Sequence, residues 1–287
     1  MQTWALGIAA ALIAGSVHAA EPAHYQGPII DSHAHLRLEG QQGSGQPVGT
    51  AALAQLDKEA GVTTSALILI AKRGQVAQTR KDNDTAIAIA AASGGRFYAV
   101  PSVHPLDGAD ALAELDRLAG LKVRVIKLHP NTQNFDVADE AVDKLVEHAG
   151  ERGLVLLFDS YKPWDSSEMG KFLLLAAKHP KTNLVLAHMG FTQFRETVTF
   201  AKMRALGIGG NVWFDVSAIT TTYADSPVEP ELVWTMRKIG MDRFLFGSDW
   251  PIDTPAAAVD AVRRLGLTVQ EEALVFHGNA AGLLKLP

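Results

Sequence analysis

Two histidines lie two positions apart in the segment Asp31-Ser-His-Ala-His35, directly after a short apolar run. Because residues i and i+2 of a strand point to the same side, the imidazoles of His33 and His35 can bind one ion together. Asp249 follows the last apolar run of the chain and offers a carboxylate. Two imidazole nitrogens and one carboxylate suit zinc or another borderline divalent ion with a position left for water. Water bound in this way is a hydrolytic nucleophile.

Polar side chains also follow other apolar runs. Lys127 and His129 end the fourth run, Asp159 ends the fifth and His188 ends the sixth. Each has an ordinary interpretation when taken alone: Lys127 could lie at the surface, and His188 could be a core histidine with satisfied hydrogen bonds. Buried ionisable groups are costly unless they are paired or bind a metal. Their common position at the ends of different runs therefore indicates one shared site.

The elements that must position these residues form a repeated unit of an apolar run, a turn and an amphipathic stretch. The runs lack strict alternation, which is typical of strands buried on both faces of a parallel sheet. The eight runs are Pro28–His33, Thr64–Ala71, Phe97–Val103, Val123–Leu128, Leu154–Asp159, Asn183–His188, Asn211–Val216 and Arg243–Ser248.

The stretches between the runs predict helices, such as Asp139 to Arg152 and the segment that begins with Thr254 and Pro255. Eight strand–helix units without a break in composition predict an α/β fold, a single-domain (β/α)8 TIM barrel over residues 20–287. An open doubly wound sheet is the alternative. In a parallel barrel the catalytic side chains lie at the carboxyl ends of the strands, and the last strand neighbours the first. Asp249 is therefore expected near His33.

The composition is that of an ordinary globular protein, with 47% hydrophobic and 20% charged residues among 287. These proportions exclude a disordered chain. The net charge of -5 argues against nucleic acid as the main partner, because phosphate binding requires a concentrated basic face. The chain has no cysteine, which excludes thiolate-bound metals and thiol nucleophiles. A metal must therefore bind to histidine, aspartate, glutamate or a modified lysine.

Residues 1–19 have the character of a cleaved signal peptide. An apolar stretch from Trp4 to Ile13 is followed by small residues that suit a signal peptidase, with cleavage expected after Ala19. The stretch is too short to span a bilayer, and it lacks the basic residues that usually precede such a core. A retained anchor and a cytosolic N-terminal helix are the alternatives. We expect a periplasmic or secreted protein with no membrane contact after cleavage.

Six segments of the chain form a more specific pattern than any single residue pair. They are Ile29-Ile-Asp-Ser-His-Ala-His-Leu36, Val125-Ile-Lys-Leu-His-Pro130, Leu184-Val-Leu-Ala-His-Met-Gly190, Asn211-Val-Trp-Phe-Asp-Val-Ser217, Asp242-Arg-Phe-Leu-Phe-Gly-Ser-Asp-Trp-Pro251 and Gly278-Asn-Ala-Ala281. In this order the chain resembles the amidohydrolase superfamily, specifically the amidohydrolase-related group (amidohydrolase family 2). That group includes aminocarboxymuconate-semialdehyde decarboxylase and several lactone hydrolases.

The resemblance implies a divalent metal, zinc or alternatively manganese, and assigns its ligands. His33 and His35 correspond to the metal ligands of the first strand. His188 corresponds to a sixth-strand histidine that binds metal or polarises the substrate carbonyl. Asp249 corresponds to a last-strand aspartate that binds metal and transfers the proton, so His188 and Asp249 are the expected catalytic residues.

The fifth strand departs from the pattern of the group, which usually has a histidine at the position of Asp159. Three outcomes remain open. Asp159 can replace the histidine as a metal ligand, the metal can bind elsewhere in the cluster with Lys127 or His129 recruited, or the site can work without metal or be inactive. Lys127 also corresponds to a lysine that is carboxylated in some members of the superfamily, or it can pair with Asp159.

The expected reaction is hydrolysis of a small ester-like bond, in a lactone or a related carboxylate, by metal-activated water. Non-oxidative decarboxylation of an unsaturated or aromatic carboxylic acid is the alternative within enzymes, and a non-catalytic periplasmic ligand-binding barrel is the alternative outside them. Lys127, His129 and Trp164 are the expected substrate-binding residues. The expected partners are a small-molecule substrate and, as an open alternative to a monomer, a second copy of the chain in a homodimer.

Overall fold

The computed structural model describes residues 23–38 and 49–286. Eight short parallel strands alternate with helices along this part of the chain, and each predicted apolar run overlaps one strand. The strands are β1 (Ile29–Asp31), β2 (Val62–Ile68), β3 (Phe97–Val100), β4 (Val125–Leu128), β5 (Val155–Asp159), β6 (Leu184–Ala187), β7 (Val212–Asp215) and β8 (Phe244–Leu245). The predicted α/β class is confirmed.

The helices connect consecutive strands and follow the last one. They are α1 (Thr50–Ala60), α2 (Val76–Ala92), α3 (Ala109–Gly120), α4 (Glu140–Glu151), α5 (Glu168–Lys178), α6 (Val198–Ala205), α7 (Ile219–Tyr223), α8 (Glu229–Ile239), α9 (Pro255–Arg264), α10 (Val269–Ala273) and α11 (Asn279–Leu284). The predicted start of α9 is confirmed, since the Thr254 hydroxyl accepts a hydrogen bond from the Ala257 N–H at 3.2 Å.

The strands pair in sequential order, β1 to β3 in one group and β4 to β8 in another. The groups meet at two junctions. Ser102 bridges to Lys127, whose N–H donates to the Pro101 carbonyl at 2.8 Å, and Ala34 bridges to Trp250 on the other side. The ring of strands is thus completed as a TIM barrel. A doubly wound sheet, which reverses its strand order, is excluded.

Alternate residues of each strand enter two different hydrophobic clusters. Val155 and Leu157 of β5 belong to the cluster inside the barrel, which Leu284 of α11 also joins. Leu156 and Phe158 belong to the larger cluster between strands and helices. Both faces of β5 are therefore buried, which explains why its sequence shows no alternation of apolar and polar residues.

The predicted signal peptide, residues 1–19, lies outside the described residues, so its cleavage and the resulting location stay predictions. Among the residues that the structure describes, no helix is both long and apolar enough to cross a membrane.

Candidate functional site

His33 lies beyond the end of β1 and is fully buried. Its Nδ1 is 2.8 Å from Oδ2 of Asp215, the last residue of β7. An ionised carboxylate can only accept, so the ring hydrogen lies on Nδ1 and the lone pair lies on Nε2. A carboxylate that orients a histidine in this way is the usual support of a metal-binding imidazole.

The Nε2 atom of His33 faces the two other predicted ligands of the first and last strands. Asp249 Oδ1 lies 3.6 Å from Nε2 of His33 and 3.4 Å from Nε2 of His35. One ligand atom from each of the three residues lies within 4.8 Å of the others, as a shared ion requires. Two imidazole nitrogens and a carboxylate oxygen are a donor set that suits a divalent ion, so the residues fit the metal that their pattern predicts.

The backbone around this group is unusual in two ways. Asp249 has a φ of 58°, in the left-handed region that non-glycine residues seldom adopt, and its N–H donates to the His33 carbonyl at 2.6 Å. Gly247 lies so close to His33 that a Cβ atom at position 247 would be 2.7 Å from the Cβ of His33. Any larger residue there would push β8 away from β1. Such local strain is characteristic of functional sites.

Lys127 lies at the centre of the site and is fully buried. Its Nζ lies 3.1 Å from Nε2 of His33 and donates to the lone pair that a metal would use. Burial lowers the pKa of Lys127, whereas the charges of Asp159, Asp215 and Asp249 oppose that shift. Metal binding to His33 therefore requires Lys127 Nζ to move away from this nitrogen.

Asp159, at the end of β5, contacts a different pair of histidines. Its Oδ2 lies 3.3 Å from Nε2 of His188 and 3.3 Å from Nε2 of His129. Its Oδ1 accepts the N–H of Tyr161 at 3.2 Å. Burial would raise the pKa of Asp159, but the hydrogen bond from His188 and the charges of His129, His188 and Lys127 hold it well below the usual range. Asp159 is therefore an ionised acceptor between two imidazoles.

His188 donates from both ring nitrogens. The Ser217 hydroxyl donates to Asp215 Oδ1 at 2.5 Å, so its oxygen can only accept from Nδ1 of His188 at 2.9 Å. The other nitrogen faces the Asp159 carboxylate. Burial would lower the pKa of His188, but the hydrogen bond to Asp159 and the charges of Asp249, Asp159 and Asp215 raise it to about 9. In this arrangement His188 is a cation. His188 also forms a second possible metal-binding group with His33 and Asp215, so its predicted role as a ligand stays a prediction.

The three other histidines of the site, His33, His35 and His129, have lowered pKa values, in contrast to His188. Burial, assisted by the charge of Lys127, lowers the pKa of His33 to about 4 despite the neighbouring carboxylates. Burial also lowers the pKa of His35. It lowers the pKa of His129 to about 4. His33 and His35 are therefore neutral near pH 7, as metal ligands must be.

The predicted substrate-binding residues occupy different places. Lys127 and His129 lie among the ionisable side chains of the site, in contact with His33 and Asp159 respectively. The Thr132 N–H donates to Nδ1 of His129 at 3.3 Å. Trp164 lies in the loop between β5 and α5, and 71% of its surface is exposed. Its contact with substrate stays a prediction.

Sequence patterns alone assign no role to Asp215 and Ser217. In the structure these two residues hold His33 and His188 in place through hydrogen bonds. The signal was present: they lie two positions apart at the end of the seventh apolar run, as His33 and His35 do at the end of the first. On their own, an aspartate and a serine at a strand end are too common to distinguish from capping residues. Their function depends on hydrogen-bond partners from β1 and β6.

A cavity of about 1150 Å³ opens beside His35. It extends over the loops that follow β1, β2 and β3 and includes His104 and Gln133 among its walls. A cavity large enough for a small molecule therefore borders the site at His35, on the side of the first three strands.

The family model of the amidohydrolases matches residues 30–286. The chain belongs to the amidohydrolase family. A curated relative, the uncharacterised protein y4mH of Sinorhizobium fredii, is 26% identical over 131 residues, which are 40% of this amidohydrolase and 42% of the relative. The match thus spans less than half the length of that relative.

Solved structures with the same fold include enzymes with different reactions. The 5-carboxyvanillate decarboxylase of Sphingomonas paucimobilis has a TM-score of 0.72 at 17% identity, over 91% of this amidohydrolase and 99% of that chain. A Pseudomonas putida protein, provisionally described as a 2-pyrone-4,6-dicarboxylic acid hydrolase, has a TM-score of 0.68 at 21% identity, over 90% and 97%. A dihydroxybenzoic acid decarboxylase of Polaromonas, solved with manganese, has a TM-score of 0.69 at 16% identity, over 90% and 97%. At these identities the likeness shows the fold alone.

Proposed function

We propose that this amidohydrolase is a metal-dependent hydrolase of a small ester-like substrate, a lactone or a related carboxylate. The observation that supports this most directly is the convergence of His33 Nε2, His35 Nε2 and Asp249 Oδ1, with Asp215 orienting His33. A divalent ion, zinc in our proposal, supplies Lewis acidity and activation of water when bound to these atoms.

Asp249 is the proposed general base. Burial would raise its pKa, but its contact with His35, the charge of His188 and, at low pH, the charges of protonated His33 and His35 hold the pKa well below the usual range. The carboxylate is therefore ionised at neutral pH and can accept a proton from the attacking water. The same group can return that proton to the leaving oxygen.

His188 is the proposed donor to the negative charge that develops on the substrate carbonyl. Its Nε2 hydrogen points to Asp159 over a long 3.3 Å contact, so a substrate oxyanion can take over that hydrogen bond. Asp159 keeps His188 protonated, and Ser217 fixes the other side of the ring. We propose this supporting role for Asp159 in place of the ligand role of the usual histidine.

Product analysis tests the proposed reaction. The metal-loaded protein is incubated with a panel of lactones and unsaturated or aromatic acids, in water labelled with oxygen-18. Label in a ring-opened acid supports hydrolysis, whereas release of carbon dioxide without label in the product indicates decarboxylation. Binding without turnover, together with no metal after reconstitution, indicates a non-catalytic binding barrel. Asp249→Asn is the matched inactive variant.

We also propose that the chain is exported, because residues 1–19 have the composition of a signal peptide. Mass spectrometry of the N-terminus after expression of the full chain tests this proposal. A mature chain that begins at Ala20 supports export with a cleaved signal, and an intact Met1 contradicts that cleavage.

A further inference from the structure

The cavity beside His35 has a charge opposite to that of the whole chain. The chain has a net charge of -5. In contrast, the cavity walls contain four basic side chains and one acidic side chain, which are Arg37, Lys72, Arg73, Lys81 and Asp82. This local excess of positive charge attracts anions, and a cleft concentrates the effect.

The basic side chains of the cavity are not neutralised by the carboxylates around them. Within the described part of the chain, none of the four forms an ion pair within 4.0 Å, and Nε of Arg37 is buried without a hydrogen-bond partner. Arg80, by contrast, contacts Glu114 at 3.0 Å on the other side of α2. All four residues line the cavity, and Lys72, Arg73 and Lys81 are exposed, so a ligand in the cavity can reach these cations.

The loop between β2 and α2, which contains Lys72 and Arg73, is fixed at both ends. Ala71 donates its N–H to the Ser102 hydroxyl at 3.0 Å, and its carbonyl accepts from Gln133 Nε2 at 3.0 Å. Gly74 donates to Asp107 Oδ1 at 2.8 Å. The backbone that bears the two cations is therefore held in place, which lowers the entropic cost of binding a ligand there.

The cavity is continuous with the reaction centre through one residue. His35 forms part of its wall and also lies 3.4 Å from Asp249. A molecule whose reacting bond lies at His33, His35 and Asp249 can therefore extend its other end over the β2–α2 loop.

We propose that Arg37, Lys72 and Arg73 form a subsite for a second anionic group of the substrate, remote from the reacting bond. The substrate is then a small acid with two anionic ends, of which one lies at the metal-binding group. This proposal rests on the proposed function for the position of the reacting bond. Arginine and lysine are the side chains that bind carboxylates through charge-assisted hydrogen bonds.

The experiment compares dicarboxylates with their monomethyl esters as ligands of the metal-loaded full chain. The probes are malonate, succinate, glutarate and isophthalate, and binding is measured by isothermal titration calorimetry. We expect at least one diacid to bind wild type tenfold or more tightly than its monoester. The Lys72→Met/Arg73→Met variant should lose that preference, with the affinity for the monoester unchanged.

Lys181→Met is the matched control, because Lys181 is an exposed lysine that does not line the cavity. It should keep the preference for the diacid. The proposal is wrong if no diacid is preferred by wild type, or if the double variant keeps the preference. Both substituted residues are exposed, and the two single variants replace the double variant if it does not fold.

Binding and turnover are measured separately, so the two proposals can fail independently. A diacid preference that depends on Lys72 and Arg73 in a protein without hydrolytic activity supports the subsite and contradicts the hydrolase. Hydrolysis of lactones without any diacid preference supports the hydrolase and contradicts the subsite.

Discussion

Asp215 Oδ2 lies 2.8 Å from Nδ1 of His33, and both residues are fully buried. This contact determines which nitrogen of His33 has the hydrogen, and therefore directs the Nε2 lone pair toward His35 and Asp249. Oδ1 of the same aspartate accepts hydrogen bonds from the backbone N–H of His188 and from the Ser217 hydroxyl. One carboxylate thus links three of the strand ends that form the site, those of β1, β6 and β7.

Asp215→Asn should weaken metal binding about 10- to 100-fold, because the amide can donate to Nδ1 and so favour the wrong tautomer of His33. The measurement is metal content by mass spectrometry after dialysis against a buffered free-metal series. Asp57→Asn, another buried aspartate outside the site, is the control for packing and should retain its metal. Unchanged affinity in Asp215→Asn would contradict the role of this contact.

Asp249→Asn should lower kcat by about 10²- to 10⁴-fold, the contribution that a positioned general base makes. The fold should survive, because the substitution preserves the size of the side chain. The measurement is kcat with the best lactone of the panel, together with the unfolding temperature. Asp253→Asn, four residues along the same loop, should leave kcat near that of wild type. Turnover by Asp249→Asn at the rate of wild type would exclude the general base.

Asp159→Asn should move the alkaline limb of the kcat–pH profile to lower pH. Asp159 raises the pKa of His188, which is about 9 in its presence. Without that carboxylate the pKa of His188 falls, so the protonated donor is lost at a lower pH. The measurement is kcat from pH 6 to 10, with Asp165→Asn in the same loop as the control.

Metal content of Asp159→Ala separates the two roles considered for this aspartate. Near-stoichiometric metal in both wild type and variant favours the role in which Asp159 keeps His188 protonated. Metal in wild type that is lost from the variant would instead establish Asp159 as a ligand that replaces the usual histidine.

The eight strands were predictable because each overlaps a run rich in apolar residues, as burial on both faces favours. Strand ends were less certain. The run Arg243–Ser248 contains a strand of only two residues, Phe244–Leu245, because the chain then leaves the sheet toward Asp249. Neighbouring strands thereby bring His33, His35 and Asp249 together, as the barrel topology predicts.

The protonation of the site could not be predicted in the same way. His33 and His188 both follow apolar runs, yet one is a neutral acceptor and the other is a cation. The difference depends on whether Lys127 or Asp159 faces Nε2, and these residues come from other strands. Sequence spacing determines which side chains share a strand end, but it does not determine which atom faces which partner.

The pH dependence of stability provides a test outside the reaction centre. Burial raises the pKa of Asp57 to about 7, although the Ser65 hydroxyl donates to its Oδ2 at 2.8 Å. The folded chain therefore binds this proton more tightly than the unfolded chain, whose aspartates have a pKa of about 3.9. The contribution of Asp57 to the free energy of unfolding is fully present below about pH 4 and is lost as the pH rises through about 7. The loss amounts to about 1.4 kcal/mol for each unit by which the two pKa values differ.

Asp57→Asn removes this titration while preserving the acceptor for Ser65. The variant should match wild type in unfolding free energy near pH 4 and exceed it by about 4 kcal/mol at pH 8, where wild type has a buried charge. Urea unfolding at both pH values measures the difference, and Glu168 cancels because it titrates in both proteins. The charge of Asp57 contributes to the raised pKa of Asp31, so its removal favours ionised Asp31 and acts in the same direction at pH 8. Asp110→Asn, an exposed aspartate, should show no such change between pH 4 and 8. A constant difference between Asp57→Asn and wild type at both pH values would show that Asp57 remains ionised in the folded chain.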